Sequence, residues 1–91
     1  MLTYEDCLAF CDLTEDEIEA IAEHEHIPAI VAMELGQYLV QSVDGVQKIK
    51  RIILDDIEAA KLNNELQRYL VLKATLQHFV DTHPDNPVQP E

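Results

Sequence analysis

Residues 45–64 read GVQKIKRIILDDIEAAKLNN, and this stretch, from Gly45 to Asn64, decides the fold of the chain. Its apolar residues recur at i, i+3, i+4 and i+7, which is the spacing of one helix face, whereas a half-buried strand would alternate apolar and polar residues. The same spacing returns in three other segments, whose apolar positions are Ile18, Ile21 and Ala22, then Val31, Leu35, Tyr38 and Leu39, and finally Leu66, Tyr69, Leu72, Leu76, Phe79 and Val80.

Start and stop signals divide the chain into five helices. Ile27 precedes a proline and Pro28 suits the first position of a helix, so this dipeptide predicts a tight corner. Three pairs have the spacing of a capping box, namely Thr3 with Asp6, Thr14 with Glu17, and Asn64 with Gln67. The predicted helices are Tyr4 to Asp12, Glu15 to His26, Pro28 to Ser42, Gly45 to Leu62 and Glu65 to Thr82.

The length of 91 residues fits a single hydrophobic core. We therefore predict an all-α fold, a compact helical bundle of four main helices plus a short N-terminal helix, as one domain over residues 1–83. Residues 84–91 hold three of the four prolines and no apolar pattern, which predicts a flexible tail. The third helix has only a narrow polar stripe, so it is expected to be central or to form the interface of a homodimer.

Charge is the most distinctive property of the composition. The formal net charge is −12, which argues against nucleic acid and anionic membranes as partners and favours a basic protein partner or a cation. The segment from Met1 to Gln47 contains no Lys or Arg. Because the acids of the second helix fall in this segment, we predict a partner-binding surface made of Glu15, Asp16, Glu19 and Glu23.

The sequence favours a non-enzymatic interaction or regulatory accessory protein. With only two glycines and one serine it offers neither a phosphate-binding loop nor a serine-based triad. No stretch carries a motif that names a family. The N-terminus lacks the pattern of a signal peptide and no apolar run is long enough for a membrane span, so a cytoplasmic protein with reduced thiols is expected.

A metal-binding helical module is the alternative function. Glu23 and His26 have the Glu-x-x-His spacing of carboxylate-bridged iron sites in helical bundles, although a second such motif is missing. Cys7 and Cys11 share a helix face and could bind zinc together with histidines, but they also form the buried stripe of the first helix. We expect no cofactor, because a solvated acidic face is favoured over iron binding at Glu23 and His26, and core packing is favoured over zinc binding at Cys7 and Cys11.

Two acids interrupt apolar stripes. Asp56 falls inside the stripe of the fourth helix and Glu25 falls beside that of the second, and a carboxylate that enters a core must be paired, hydrogen-bonded or protonated. In an antiparallel hairpin of the last two helices, Asp56 comes opposite residues close to Tyr69 and Lys73. We therefore predict a buried polar contact between Asp56 and one of them, with ligand binding by Asp56 as the alternative.

The fourth helix also carries its charges against the helix dipole. Lys48, Lys50 and Arg51 lie in its first half and acids lie in its second half, an order that costs a few tenths of a kcal/mol per charge in an isolated helix. One explanation is that the acidic second helix lies near the basic residues. The other is that the basic residues bind an anion or an acidic protein.

Overall fold

A computed structural model describes residues 3–9 and 11–83 of the chain. Within these ranges the regular secondary structure is helical and no strand occurs. The helices are α1 (Tyr4–Ala9), α2 (Glu15–Glu25), α3 (Ala29–Val40), α4 (Gly45–Leu62) and α5 (Leu66–Thr82). The predicted all-α bundle of four main helices and a short leading helix is confirmed. The predicted tail, residues 84–91, lies outside the described residues.

Capping boxes begin the first two helices, as predicted. The Thr3 N–H donates to Asp6 Oδ2 over 3.2 Å, and the Asp6 N–H donates to Thr3 Oγ1 over 3.1 Å. Thr14 and Glu17 make the same exchange, with distances of 2.9 and 3.2 Å. These bonds satisfy backbone donors that a helix start leaves without intrahelical partners.

Helix α1 does not reach Asp12, so its predicted length was wrong. Both the Cys11 thiol and the Asp12 N–H donate to Gln37 Oε1, each over 3.2 Å. The side chain of Gln37, on α3, thereby binds the backbone of the loop after α1 and takes the N–H that a longer helix would have used. A contact distant in sequence ends the helix.

The corner between α2 and α3 is present, but His26 makes the break. His26 adopts the left-handed conformation with φ of 60°, and its N–H donates to the carbonyl of Ala22. Pro28 is the N-cap of α3 and not its first residue. The extended backbone at Pro28, with ψ of 155°, turns the chain into the next helix.

The hairpin of α4 and α5 is formed as expected, but its turn differs. Helix α4 has the predicted bounds, and α5 begins one residue later than predicted. The proposed capping box of Asn64 and Gln67 was wrong: Asn64 has a φ of 57°, and Glu65 is the N-cap without a side-chain cap bond. The left-handed Asn64 reverses the chain, a conformation that asparagine tolerates better than most residues.

One hydrophobic core lies between the four longer helices. It is formed by fourteen buried residues: Leu13, Ile18, Ala20, Ile21, Ala32, Met33, Leu39, Ile49, Ile52, Ile53, Ile57, Ala60, Leu72 and Phe79. Helices α2 and α4 each pack against the other and against both α3 and α5. These two helices therefore form the centre of the bundle.

The prediction that α3 is central was wrong. One face of α3 is buried and includes the small residues Ala32 and Gly36, which allow close packing of the helix on that side. Its opposite side is exposed, with Tyr38 at 68% of its full accessibility. The apolar excess of α3 is thus partly on the surface, where Ile30 and Val31 are also exposed.

Candidate functional site

The strongest surface feature is a group of carboxylates on one face of α2. Glu15, Asp16 and Glu19 are exposed, and a helical rotation of about 100° per residue places them within about 100° of one another. Within residues 3–9 and 11–83, none of the three forms an ion pair. We call these three residues the acidic face.

Tyr4 of α1 is within electrostatic reach of this acidic face. Partial burial raises the pKa of its hydroxyl above the ordinary value, and the negative charges of Glu15 and Glu19 raise it further. The hydroxyl of Tyr4 is therefore affected by the negative charge of the acidic face. Carboxylates near a tyrosine suit the side chains of arginine and lysine. These side chains form ion pairs with carboxylates and cation–π contacts with aromatic rings.

Glu23, the fourth residue predicted for partner binding, has a different role. Its carboxylate forms an ion pair with Arg68, which joins the end of α2 to the start of α5. Its charge is therefore partly compensated within the chain. The structure brings Glu15, Asp16 and Glu19 together as a free group and assigns Glu23 to a contact between helices.

His24 contacts two carboxylates, and the one on Asp55 connects α2 to α4. Its Nδ1 lies 2.9 Å from Glu25 Oε2, and its Nε2 lies 3.3 Å from Asp55 Oδ2. Burial alone would lower the pKa of His24, but the hydrogen bonds to Glu25 and Asp55 raise it above the ordinary value. The imidazolium form, which donates from both ring nitrogens, matches this arrangement. Glu25 follows Ile18 and Ile21 at i+7 and i+4 on α2, as predicted, but it is exposed and does not enter the core.

Asp56 does not form the predicted contact with Tyr69 or Lys73. The Lys73 ammonium instead lies over the Tyr69 ring, 5.5 Å from its centroid. The charged groups that act on Asp56 include His24, on α2, and Arg68, on α5. Its Oδ2 atom is buried without a hydrogen-bond partner, and burial raises the pKa of this carboxyl although the two nearby cations lower it.

Replacing Asp56 with asparagine is expected to stabilise the protein by about 1 kcal/mol at pH 7, because the variant no longer buries an unsatisfied charge. A raised pKa in the folded state means that stability falls as pH rises above the ordinary aspartate value of about 4. The gain should therefore shrink as the pH is lowered toward that value. Urea denaturation at several pH values measures both effects.

The neighbouring substitution Asp55→Asn is the matched control for Asp56→Asn. It removes the same charge from α4, but it also removes the carboxylate that holds His24 Nε2. It should not stabilise the protein at any pH. A wild-type protein as stable as Asp56→Asn at pH 7 would contradict the interpretation that burial of the Asp56 carboxylate destabilises the fold.

The residues of the metal hypothesis are not gathered into one site. Glu23 is paired with Arg68, His26 is an exposed helix cap, and the Cys11 thiol donates to Gln37. Within the part of the chain that the structure describes, no group of three or more His, Cys, Asp or Glu side chains is arranged to hold a metal ion. Cys7 and Cys11 instead border a groove of about 510 Å³ between α1 and α3.

Sequence reasoning missed the most buried charged residue. Glu17 is 0% exposed, and its two oxygens are both used: Oε1 accepts the Thr14 N–H, and Oε2 lies 3.1 Å from His78 Nδ1. The signal was present, because a helical rotation places Glu17 between the buried Ala20 and Ile21. Its role is structural, since it joins the start of α2 to α5.

Comparison with known proteins adds no assignment. No protein-family model, curated protein or solved structure matches the chain significantly. Among the helices that the structure describes, none is both long and apolar enough to cross a membrane.

Proposed function

We propose that this chain is a non-enzymatic interaction module that binds a basic protein partner through the acidic face of α2. The observation that carries the proposal is the exposure of Glu15, Asp16 and Glu19 without an ion pair in the described part of the chain. Burial and hydrogen bonding account for Glu17 and His24, but no ion pair with a described residue accounts for this group. A partner that supplies arginine or lysine would compensate it.

The arrangement of the acidic face favours rapid and salt-sensitive association. A group of like charges on one rigid helix attracts an oppositely charged surface before contact, and this effect raises the association rate more than it lengthens the complex lifetime. The capping box of α2 and the Glu17–His78 contact hold the helix in place. The carboxylates are therefore presented on a framework that does not have to become ordered on binding.

A peptide of alternating arginine and alanine residues is a suitable probe for the acidic face. Neutralising the three carboxylates in a Glu15→Gln, Asp16→Asn, Glu19→Gln variant is expected to weaken its binding about tenfold at low salt, since each exposed pair contributes about 0.5 kcal/mol. The difference should disappear at high salt. Fluorescence anisotropy of the labelled peptide measures the dissociation constants.

The control variant, Glu34→Gln, Glu58→Gln, Glu65→Gln, changes the net charge by the same amount at exposed positions outside α2. Its affinity for the peptide should stay within about twofold of the wild type, because removal of distant charge weakens only the screened long-range attraction. Equal losses in the two triple variants would mean that net charge alone attracts the peptide, and the acidic face would not be the binding surface.

A further inference from the structure

An open groove lies between α3 and α4, where the end of α2 meets them. Its volume is about 480 Å³, and it has an apolar lining and a charged rim. Leu39 and Ile52, both buried, form its floor, and the exposed Tyr38 borders it. The remaining lining residues are Glu25, Leu35, Lys48 and Arg51.

Lys48 and Arg51 are the positive charges of this rim. They are three residues apart on α4, so they lie on the same side of the helix. Both are exposed, and neither forms an ion pair with another described residue, although the chain has 18 acids against 6 bases. The first explanation for the charge order of α4, pairing with the acidic helix α2, is therefore not realised at these two positions.

Among the described residues that line the groove, Glu25 is acidic, and it does not compensate these bases by an ion pair. Glu25 is held by His24, whose Nδ1 lies 2.9 Å from Glu25 Oε2. The rim therefore combines two unpaired cations with an apolar floor. This combination is complementary to a ligand that presents apolar side chains flanked by carboxylates.

We propose that the groove between α3 and α4 binds an acidic amphipathic helix of a partner protein, with its apolar side chains on Leu39 and Ile52 and its carboxylates at Lys48 and Arg51. Amphipathic helices bind in such grooves through apolar residues at i, i+3, i+4 and i+7. This surface is separate from the acidic face. The groove binds an acidic partner, whereas the acidic face binds a basic one. The chain would thus carry two docking surfaces.

Helices α2 and α3 of a second copy of the chain do not meet these requirements. The most acidic helix, α2, keeps Ile18 and Ile21 fully buried in its own core and so has no apolar face to offer. The exposed apolar side of α3 is accompanied by a single acid, Glu34.

The probe for this groove is a helical peptide with leucines at i, i+3, i+4 and i+7 and glutamates on both flanks of that stripe. In a titration followed by two-dimensional NMR of the labelled protein, the amide signals of Leu35, Tyr38 and Ile52 should shift. The double variant Lys48→Glu, Arg51→Glu is expected to weaken binding about tenfold or more, because two attractive charge contacts become repulsive. A peptide with lysines in place of the glutamates should not shift these signals.

The variant Lys61→Glu, Lys73→Glu changes the net charge equally and leaves the rim intact, so it should retain most of the affinity. Tyr38→Ala should also weaken binding of the glutamate peptide. Tyr38 is exposed, so we expect this substitution to leave the fold intact. The acidic-face triple variant should bind this peptide normally, which separates this proposal from the preceding one. Unshifted groove signals at millimolar peptide, or equal affinities in the two charge-reversal variants, would overturn it.

Discussion

Phe79→Ala is expected to lower the free energy of unfolding by about 3–5 kcal/mol, the usual cost of removing a buried phenylalanine ring. Phe79 is the largest side chain of the core with no exposed surface, and it lies on α5, facing the centre of the bundle. The ring also stacks on His83, with centroids 4.6 Å apart. A small helical core cannot collapse fully around the cavity that alanine would leave.

This loss is large on the scale of the whole domain, because natural domains are stable by about 5–15 kcal/mol. Urea denaturation followed by circular dichroism at 222 nm should show an earlier midpoint or a partly unfolded baseline. Val80→Ala, the next residue of the same helix and 36% exposed, is the control and should lose about 1 kcal/mol or less. Similar losses in both variants would show that α5 does not pack as described.

The sequence predicted those parts of the fold that depend on local interactions. Helix starts at Tyr4 and Glu15 depend on capping side chains three residues apart, and α4 follows from the spacing of its own isoleucines. These signals act within one or two turns of helix, so their physical cause is visible in the sequence. The local signal failed at Asn64, where the shape of the hairpin decided the backbone conformation.

Features of the fold that depend on packing between distant segments could not be predicted from the sequence. Gln37 accepts the Asp12 N–H from 25 residues away, and the charged groups that act on Asp56 include Arg68, whereas the sequence favours Lys73. These contacts depend on how far one helix is rotated about its axis relative to its neighbour. A stripe of apolar residues defines this rotation only to within about one residue position. The exposure of the acidic face could be predicted from the sequence, because charged residues lie on the surface without needing a specific partner.

Segregation of charge is the common physical basis of both proposed surfaces. The first half of the chain has a large excess of acids, because Met1 to Gln47 contains no lysine or arginine and His24 compensates Glu25 within that half. Among the bases of the second half, Arg68 and Lys61 pair with acids, whereas Lys48 and Arg51 remain without ion pairs among the described residues. Because one rigid bundle carries uncompensated charge of both signs, the proposed acidic face and the proposed groove suit partners of opposite charge.

Gly45→Ala is expected to lower the free energy of unfolding by about 3 kcal/mol, the upper end of the cost of overpacking a well-packed site. Helix α4 begins at Gly45, and a Cβ atom built there lies 1.5 Å from the carbonyl oxygen of Leu39 and 2.3 Å from its carbon. Because these are backbone atoms at the end of α3, relief of the clash requires α3 and α4 to separate. The groove between these helices would change with them.

Gly36→Ala is the matched control, because it adds the same methyl group to a helix of the same bundle. The new Cβ atom meets the side-chain tips of Leu13, at 2.3 Å, and Ile21, at 3.1 Å, and such tips can rotate away. The higher helix propensity of alanine, about 1 kcal/mol over glycine, offsets much of the remaining strain. We therefore expect the unfolding free energy of Gly36→Ala to stay within about 1 kcal/mol of the wild type. If urea denaturation ranked the two variants in the opposite order, the tight turn between α3 and α4, and with it the position of Lys48 beside the groove, would need another explanation.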